Sequence, residues 1–180
     1  MRIRRRFWMR VTGGMKIHII GGSGTGKSYI ADKLSQKYGI PHYDLDDVFW
    51  DNTADTYGTK MPVEKRTSKL ADILKKDDWV IEGVFYDWLA DSFSLADRIV
   101  ILQIRPLVFN ARIIRRFIRR KCGLEKGKKE TLRSLKDLLV WTNGYQRNNI
   151  PRILDFLAPY KDKVSIITNA RDILMFGDRD

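Results

Sequence analysis

The chain has 180 residues, of which 43% are hydrophobic and 31% are charged, and this suits one α/β domain with a hydrophobic core. An integral membrane protein is excluded, because no apolar run approaches the roughly 20 residues that span a bilayer. The net charge of +12 does not by itself indicate nucleic-acid binding, because the excess lies in residues 1–14, with five arginines and no acid, and in residues 105–136, with twelve lysines and arginines against two glutamates. The single cysteine, Cys122, cannot form an internal disulfide, which fits the cytoplasm as the expected location, without membrane association.

Residues 1–14 form a basic leader that we expect to be flexible and to lie outside the folded domain. Its arginines are not followed by the apolar segment of a signal peptide. The folded domain is expected to begin at Met15 and to continue as a single kinase-like unit, residues 15–180, without an interdomain linker. The alternative is a basic arm that contacts nucleic acid or a membrane.

Strand-like and helix-like patterns alternate along the rest of the chain. Apolar, β-branched runs predict strands at residues 16–20, 41–44, 79–82, 98–104 and 163–168. Apolar positions at helical spacing predict helices at residues 27–38, 63–75, 106–121, 131–141, 150–157 and 171–176. Residues 142–149, rich in asparagine, are expected to be a loop. The alternation predicts one parallel sheet covered on both faces, with functional groups at the carboxyl ends of its strands.

Residues 21–28, GGSGTGKS, match the phosphate-loop pattern G-x-x-x-x-G-K-[ST] in full. Glycines allow backbone conformations that bring amide groups to phosphate oxygens, and the following helix presents its positive end. Lys27 is expected to reach the β- and γ-phosphates of ATP, and Ser28 to coordinate Mg²⁺. The competing interpretation, a chance match in a turn, is disfavoured by the position between a strand and a helix. The predicted nucleotide-binding residues are Gly21, Gly22, Ser23, Gly24, Thr25, Gly26, Lys27, Ser28 and Tyr29.

Carboxylates follow the second and third predicted strands. Asp44 and Asp46 would point to the same side of an extended segment, into the crevice. We assign Asp46 to orienting or deprotonating an acceptor hydroxyl, and Glu82 to supporting Mg²⁺, directly or through water. The alternative for the aspartates is an Asx turn that only caps the next helix, with Asp47 as the expected cap. The alternative for Glu82 is an acid at a solvent-facing strand end.

Five arginines occur within nine residues of one predicted helix: Arg112, Arg115, Arg116, Arg119 and Arg120. Arg112, Arg116 and Arg120 share a face, and charges this close repel unless an anion such as a nucleotide phosphate lies between them. Residues of about 112–130 would form a lid that excludes water. A solvated basic face, or a surface for nucleic acid or membrane, remains open. The expected apolar side of this helix consists of Leu107, Ala111, Ile114, Phe117 and Ile118.

With these motifs, the chain resembles the adenylate-kinase-like P-loop family, and within it the small bacterial proteins known as DNA topology modulation proteins. The stretches that carry the resemblance are HYDLDDVFW at residues 42–50, WVIEGVF at 79–85 and the arginines after the fourth strand. The resemblance implies a P-loop nucleoside triphosphate hydrolase fold, with a five-stranded parallel sheet of order 2-3-1-4-5 and a small helical lid. It also implies ATP and Mg²⁺ binding, with Arg112 and Arg116 as lid arginines.

The chain departs from adenylate kinases after its third strand. Those enzymes carry Asp-Gly-x-Pro-Arg where this chain has EGVFY at residues 82–86, so the arginine that grips the acceptor monophosphate has no counterpart. AMP is therefore not the expected acceptor, although Lys65 or Arg66 could substitute. A GTPase is not expected, because the chain has no Asn-Lys-x-Asp guanine motif.

The combined patterns predict a kinase that transfers the γ-phosphate of ATP to a small acceptor bearing a hydroxyl or phosphate group. The predicted catalytic residues are Lys27, Asp46, Arg112 and Arg116, and the predicted metal-binding residues are Ser28 and Glu82. The alternative function is a nucleic-acid-binding regulator that uses ATP as a switch and contacts DNA through Arg115, Arg119, Arg120 and the leader. The sequence indicates no oligomeric state.

Overall fold

One sheet of five parallel strands forms the centre of the structure. The structure is a computed structural model and describes residues 14–54, 56, 58–125, 131–169 and 172. The strands are β1 (Lys16–Gly21), β2 (His42–Asp44), β3 (Trp79–Gly83), β4 (Arg98–Leu102) and β5 (Val164–Ile167). Their order is β2-β3-β1-β4-β5, and each neighbouring pair is parallel. The predicted sheet and its strand order are confirmed, and the carboxyl end of β1 lies between those of β3 and β4.

Both faces of the sheet are buried, because its strands are nearly continuous apolar runs. Ile17 and Ile19 of β1 face one core, where they pack with Val80 and Val100 of the neighbouring strands. Ile20 faces the other core, on the opposite side of the same strand. This burial on two sides fixes the register of β1, and with it the position of the loop that follows.

Helices connect the strands and cover both faces of the sheet. They are α1 (Lys27–Tyr38), α2 (Leu45–Phe49), α3 (Val63–Leu74), α4 (Ala90–Leu95), α5 (Pro106–Lys121), α6 (Leu132–Gly144) and α7 (Ile150–Phe156). A π-helical turn, Tyr145–Asn149, joins α6 to α7, and a 3₁₀ segment, Ala158–Lys163, precedes β5. Local signals explain several bounds: Gly39 ends α1 at a φ of 66°, Pro106 begins α5, and Thr131 caps α6.

The apolar side predicted for α5 was wrong except at Phe117. The buried residues of this helix are Phe109, Ile113 and Phe117. The exposed ones include Leu107, Ala111, Ile114 and Ile118. Both sets recur at helical spacing, so periodicity alone does not distinguish them. The buried row contains two phenylalanines and therefore removes more apolar area from water.

The loop predicted at residues 142–149 was also wrong, because this segment completes α6 and forms the π-helical turn. Tyr145 is buried, and its hydroxyl donates a hydrogen bond of 2.7 Å to the carbonyl oxygen of Val84. Asparagine disfavours a helix by less than about 1 kcal/mol per residue, and burying one tyrosine offsets that. Tertiary packing therefore overrides local propensity here.

Some predicted features lie outside the described residues. These are the basic leader apart from Gly14, residues 126–130 of the predicted lid, and the closing helix at 171–176 apart from Asp172. None of the helices in the described part of the chain combines the length and the apolar character needed to cross a bilayer.

Candidate functional site

The loop at residues 22–26 joins β1 to α1, and its shape requires glycine. Gly24 and Gly26 have φ angles of 71° and 104°, in the left-handed region that glycine tolerates. A Cβ atom on Gly24 would lie 2.8 Å from the carbonyl oxygen of Phe109. The buried Thr25 donates its hydroxyl hydrogen to the carbonyl oxygen of Gly22 at 2.7 Å. Successive amide groups in a turn of this kind form an anion-binding concavity.

The other residues predicted to bind nucleotide surround this turn. Gly21 is the last residue of β1. Gly22 packs so closely on the π-helical turn that a Cβ atom would lie 3.3 Å from Cδ1 of Tyr145. Ser23 and Tyr29 line the cleft above the loop, and Tyr29 is 45% exposed. The loop is therefore supported from beneath and open on one side.

Lys27 and Ser28 begin α1, and both contact Glu82 at the end of β3. The Nζ atom of Lys27 donates to the carbonyl oxygen of Gly22 at 3.3 Å and lies 3.8 Å from Oε2 of Glu82. Ser28 donates its hydroxyl hydrogen to Oε1 of Glu82 at 2.5 Å. Glu82 is paired with Ile19 across the β1–β3 register, which holds its carboxylate beside the loop.

Glu82 is not at a solvent-facing strand end, because its side chain is only 2% exposed. Burial raises the pKa of Glu82, and the positive charge of Lys27 opposes that shift. His42 lies nearby, with Nε2 at 3.9 Å from Oε1 of Glu82. A buried carboxylate facing a lysine in a cleft is a typical feature of functional sites.

Asp44 and Asp46 line the same cleft, but in a geometry that differs from the predicted one. Asp44 ends β2 and caps α2, where its carboxylate accepts a hydrogen bond of 2.9 Å from the backbone N–H of Asp46. The extended segment predicted for residues 44–46 was therefore wrong. The prediction of Asp47 as the cap was also wrong. A capping residue must precede the first turn of its helix, whereas Asp47 lies within that turn. Asp46 is exposed at the edge of the cleft, where partial removal from water raises its pKa; the Asp44 carboxylate adds to the shift and Lys27 opposes it.

Arg112 of α5 reaches the phosphate loop directly. Its Nη1 atom donates to the carbonyl oxygen of Thr25 at 2.9 Å and to that of Gly24 at 3.4 Å. Burial lowers the pKa of Arg112. Arg116 and Arg120 line the cleft one and two turns further along α5. One face of the helix thus directs three positive charges towards the loop.

The remaining arginines of α5 lie on its outer side. Arg115 and Arg119 are exposed and do not line the cleft. Arg119 donates from Nε to Oε2 of Glu125 at 3.4 Å, and Nε of Arg120 lies 3.7 Å from Oε1 of the same carboxylate. The predicted contact of these residues with DNA stays a prediction.

The cleft has a volume of about 950 Å³ and continues from the loop past the carboxylates. Part of its wall was not predicted: Phe49, Lys60 and Phe85. Phe49 and Phe85 stack with ring centroids 4.2 Å apart. Each follows one of two neighbouring strands by a few residues, and this was the signal that could have identified them. They make one end of the cleft aromatic.

The residues of this site fit a nucleoside triphosphate. The left-handed turn at Gly24 and Gly26 forms an anion-binding concavity, the ammonium group of Lys27 lies beside it, and α1 begins there. The volume is at the upper end of the roughly 300–1,000 Å³ common for ligand pockets, so there is room for a second, small molecule.

Mg²⁺ also fits this site, because it prefers oxygen ligands and usually keeps several waters. The hydroxyl of Ser28 and the carboxylates of Glu82 and Asp44 provide such oxygens near the loop. Within the described ranges, no three His, Cys, Asp or Glu side chains converge to hold a metal by themselves. The groups present thus suit a metal that is shared with a bound phosphate.

Comparison with known proteins gives one sequence relative. No protein-family model matches the chain. The "Uncharacterized protein YqaC" of Bacillus subtilis (strain 168) is 30% identical over 89 residues, which cover 49% of this chain and 48% of that protein. The chain therefore spans about half the length of the curated relative that it matches.

Comparison of structures identifies the fold. A gluconokinase from Sinorhizobium meliloti 1021 is 15% identical, with a TM-score of 0.51 over 93% of this chain and 89% of that one. A shikimate kinase from Bacteroides thetaiotaomicron is 16% identical, with a TM-score of 0.49 over 92% of this chain and 95% of that one. The likeness to the gluconokinase shows that the chain has the P-loop kinase fold. Membership of the DNA topology modulation group stays a prediction.

Proposed function

We propose that the protein is an ATP-dependent kinase that transfers the γ-phosphoryl group of ATP to a small acceptor. One observation carries the proposal: the phosphate loop, the Asp46 and Glu82 carboxylates and the Arg112 and Arg116 guanidinium groups line a single cleft of about 950 Å³. A protein that only binds ATP needs the loop, but it does not need a carboxylate and an empty volume beyond the γ-phosphate position.

The chain's own groups account for ATP binding and for charge stabilisation. Loop amides and Lys27 would hold the phosphates, and the hydroxyl of Ser28, which bonds to Glu82, would supply an oxygen to Mg²⁺. When bound, Mg²⁺ would neutralise charge on the β- and γ-phosphates. Arg112 and Arg116 offset the charge that spreads over the phosphoryl group during transfer.

Asp46 acts on the acceptor. Its carboxylate orients the acceptor hydroxyl and takes its proton as the new oxygen–phosphorus bond forms, while the bond between the γ-phosphorus and the bridging oxygen breaks and ADP leaves. The raised pKa of Asp46 makes it a stronger base than an ordinary aspartate. The proposed domain begins at Met15, and the proposed lid, which begins at Arg112 on α5, would exclude water from this step.

The acceptor in this proposal is a small molecule. The name of the gluconokinase implies a small acceptor with hydroxyl groups. The cleft described here leaves room for a molecule as small as that acceptor beside ATP. The aromatic end formed by Phe49 and Phe85 is the surface on which the body of the acceptor would pack.

Lys27→Ala tests the proposal, with Lys69→Ala on the exposed side of α3 as a control that removes one equal charge. Calorimetric titration with Mg·ATP should show binding to the wild type and to Lys69→Ala, and at least about tenfold weaker binding to Lys27→Ala, since one charged hydrogen bond to phosphate contributes about 1.5–3 kcal/mol. A screen for ATP consumption should then identify the acceptor among nucleosides, nucleotides, sugars and sugar acids. Unchanged ATP binding by Lys27→Ala would contradict the proposal.

A further inference from the structure

We infer that Trp141 of α6 covers the γ-phosphate of bound ATP and keeps water away from it, so that this residue sets the preference for the acceptor over water. The inference rests on the proposed function, because it concerns the same phosphoryl transfer. It gives a role to a helix that carries none of the residues assigned to that transfer.

The face of α6 that meets the cleft is apolar. Leu138 and Trp141 line the cleft together with the arginine side chains of α5. They are three residues apart and therefore share a face of the helix. Tyr145 follows four residues later, and its ring centroid lies 5.3 Å from that of Trp141. The two helices thus provide different surfaces, since α5 presents cations to the cleft and α6 presents apolar side chains.

This apolar face lies at the γ-phosphate side of the loop. The Nζ atom of Lys27, a group that reaches the β- and γ-phosphates in loops of this pattern, donates to the carbonyl oxygen of Gly22 at 3.3 Å. The same glycine packs on α6 and the turn that follows it, because a Cβ atom on Gly22 would lie 3.2 Å from Cγ2 of Thr142 and 3.3 Å from Cδ1 of Tyr145. Trp141 directly precedes Thr142 and lines the cleft, so its indole ring stands beside the position of the γ-phosphate.

Trp141 also has apolar surface that the fold leaves in water. The residue is 46% exposed, although tryptophan is among the side chains with the most apolar area to bury. Its neighbour Val140 is 67% exposed and does not line the cleft. The exposed part of Trp141 therefore borders the ligand volume, where a bound triphosphate would cover it.

An apolar ring at this position affects two competing reactions. In the transfer reaction, the acceptor oxygen bonds to the γ-phosphorus while the bond to the bridging oxygen breaks and ADP leaves. In hydrolysis, the oxygen of water forms the new bond instead, and the products are ADP, inorganic phosphate and a proton. A ring that occupies the space of water molecules disfavours only hydrolysis, and it strengthens the interaction of the arginines with the phosphoryl charge.

The alternative is that Trp141 only packs on Tyr145, and the rate of ATP hydrolysis without any acceptor distinguishes the two roles. Trp141→Ala opens the space beside the γ-phosphate, whereas Trp141→Phe keeps an aromatic ring there. Val140→Ala is the matched control, because it removes apolar surface from the same turn of α6 without facing the cleft.

Inorganic phosphate release at saturating Mg·ATP measures the hydrolysis. We expect about tenfold faster release in Trp141→Ala, and rates within about twofold of the wild type in Trp141→Phe and Val140→Ala. Unchanged or slower release in Trp141→Ala would overturn the inference. So would a loss of ATP affinity without faster hydrolysis, since it would show that the ring only binds the nucleotide.

Fluorescence quenching tests the contact directly and needs only the conservative variant, so it also serves if Trp141→Ala does not fold. The difference between the wild type and Trp141→Phe isolates the emission of Trp141, which acrylamide should quench in the free protein. Magnesium and a non-hydrolysable ATP analogue should lower the quenching constant by about twofold or more, since pockets of this kind enclose most of a ligand. ADP lacks the γ-phosphate and should protect the ring less. Equal protection by ADP, or no protection by the analogue, would contradict the position inferred for Trp141.

Two outcomes separate this inference from the proposed function. ATP binding and transfer, with hydrolysis that does not respond to Trp141→Ala, overturn the inference and leave the kinase proposal intact. Failure of the wild type to bind ATP contradicts both. With the acceptor from the screen, the ratio of phosphorylated acceptor to inorganic phosphate should fall in Trp141→Ala and recover in Trp141→Phe, and an unchanged ratio would count against the inference alone.

Discussion

The hydroxyl oxygen of Ser28 lies 2.5 Å from Oε1 of Glu82, so a hydrogen bond joins the first turn of α1 to the carboxyl end of β3. The other carboxylate oxygen of Glu82 faces Lys27 at 3.8 Å. The two residues that follow the phosphate loop are therefore oriented by one buried carboxylate. The position of this carboxylate is set by the pairing of β3 with β1, not by the loop itself.

Glu82→Gln should weaken Mg²⁺-dependent ATP binding more than ATP binding without the metal. Glutamine keeps the size of the side chain and can still accept a hydrogen bond from Ser28, but it carries no charge for the metal or for Lys27. Residues that orient metal ligands typically contribute about 10–100-fold to metal affinity or activity. Titration of ATP with and without Mg²⁺ measures the difference, with Glu64→Gln on the exposed start of α3 as the control. An unchanged Mg²⁺ dependence would contradict the role of Glu82.

Gly24→Ala should destabilise the protein, whereas Gly144→Ala should stabilise it. Gly24 has a φ of 71°, and a Cβ atom there would lie 2.8 Å from Cγ1 of Ile113. Gly144 has a helical φ of −62° and open space at its Cβ position. We expect a loss of about 1–3 kcal/mol in the first case and a gain of about 0.5–1 kcal/mol in the second. Denaturant unfolding of both variants measures the free energies, and a stable Gly24→Ala variant would show that the loop is less constrained than its geometry indicates.

Asp46→Asn should lower kcat by about 10²–10⁴-fold and leave the affinity for ATP nearly unchanged, because the proposed proton acceptor is lost. Asp47→Asn, one residue further, is also exposed but does not line the cleft, so it is the matched control and should retain activity. The pKa of Asp46 is raised, so its basic form is lost as the pH falls, beginning at a higher pH than for an ordinary aspartate. A pH profile of kcat should therefore show an acid limb in the wild type. The same limb in Asp46→Asn would assign it to another group.

The histidine of β1 should make the fold less stable in acid. Burial lowers the pKa of His18 to about 3, from 6.5 for the exposed group. The unfolded chain therefore binds more protons than the folded one between these values, and the free energy of unfolding should fall as the pH decreases from 6.5 towards 3, by up to about 1.4 kcal/mol per pH unit. Above this range His18 is neutral in both states and adds no pH dependence.

Replacing this histidine by leucine isolates its contribution. In the folded protein Nδ1 of His18 is 2.8 Å from Oγ of Ser92, and its ring lies 4.2 Å from that of Phe93. His18→Leu removes the titrating group, although it leaves the Ser92 hydroxyl without this partner. Unfolding measured at several pH values should give a shallower slope for the variant, by about one proton. Equal slopes would place the acid sensitivity elsewhere.

The sheet and the phosphate loop could be predicted because both depend on short-range patterns. Continuous β-branched runs indicate strands buried on both faces, and glycines in the spacing of residues 21–28 have few other uses between a strand and a helix. The face of α5 could not be predicted, because the rows containing Leu107 and Phe109 both have helical spacing. Only contact with the rest of the core distinguishes them.

The aromatic end of the cleft depends on contacts that are distant in sequence. Phe49 and Phe85 belong to segments that follow different strands, and Arg66 joins them from a third element. The sequence shows that such residues follow strand ends, but not that their rings meet. Similarly, the cap of α2 was predicted at Asp47 and lies at Asp44, because pattern alone does not resolve at which residue a helix starts.

The π-helical turn holds one more residue than a regular helical turn would need. Tyr145 touches the phosphate loop at Gly22 and its hydroxyl bonds to Val84, while Ile150 and Ile153 of the next helix are buried. The N–H of Ile150 bonds to the carbonyl oxygen of Tyr145, five residues back, where a regular helix bonds four residues back. Removing one residue from this turn would therefore restore a regular helix and leave the residues on either side facing nearly as before. Relatives that keep this packing can accordingly be one residue shorter here, whereas a deletion in the regular part of α7 would rotate the residues after it by about 100° and expose Ile153.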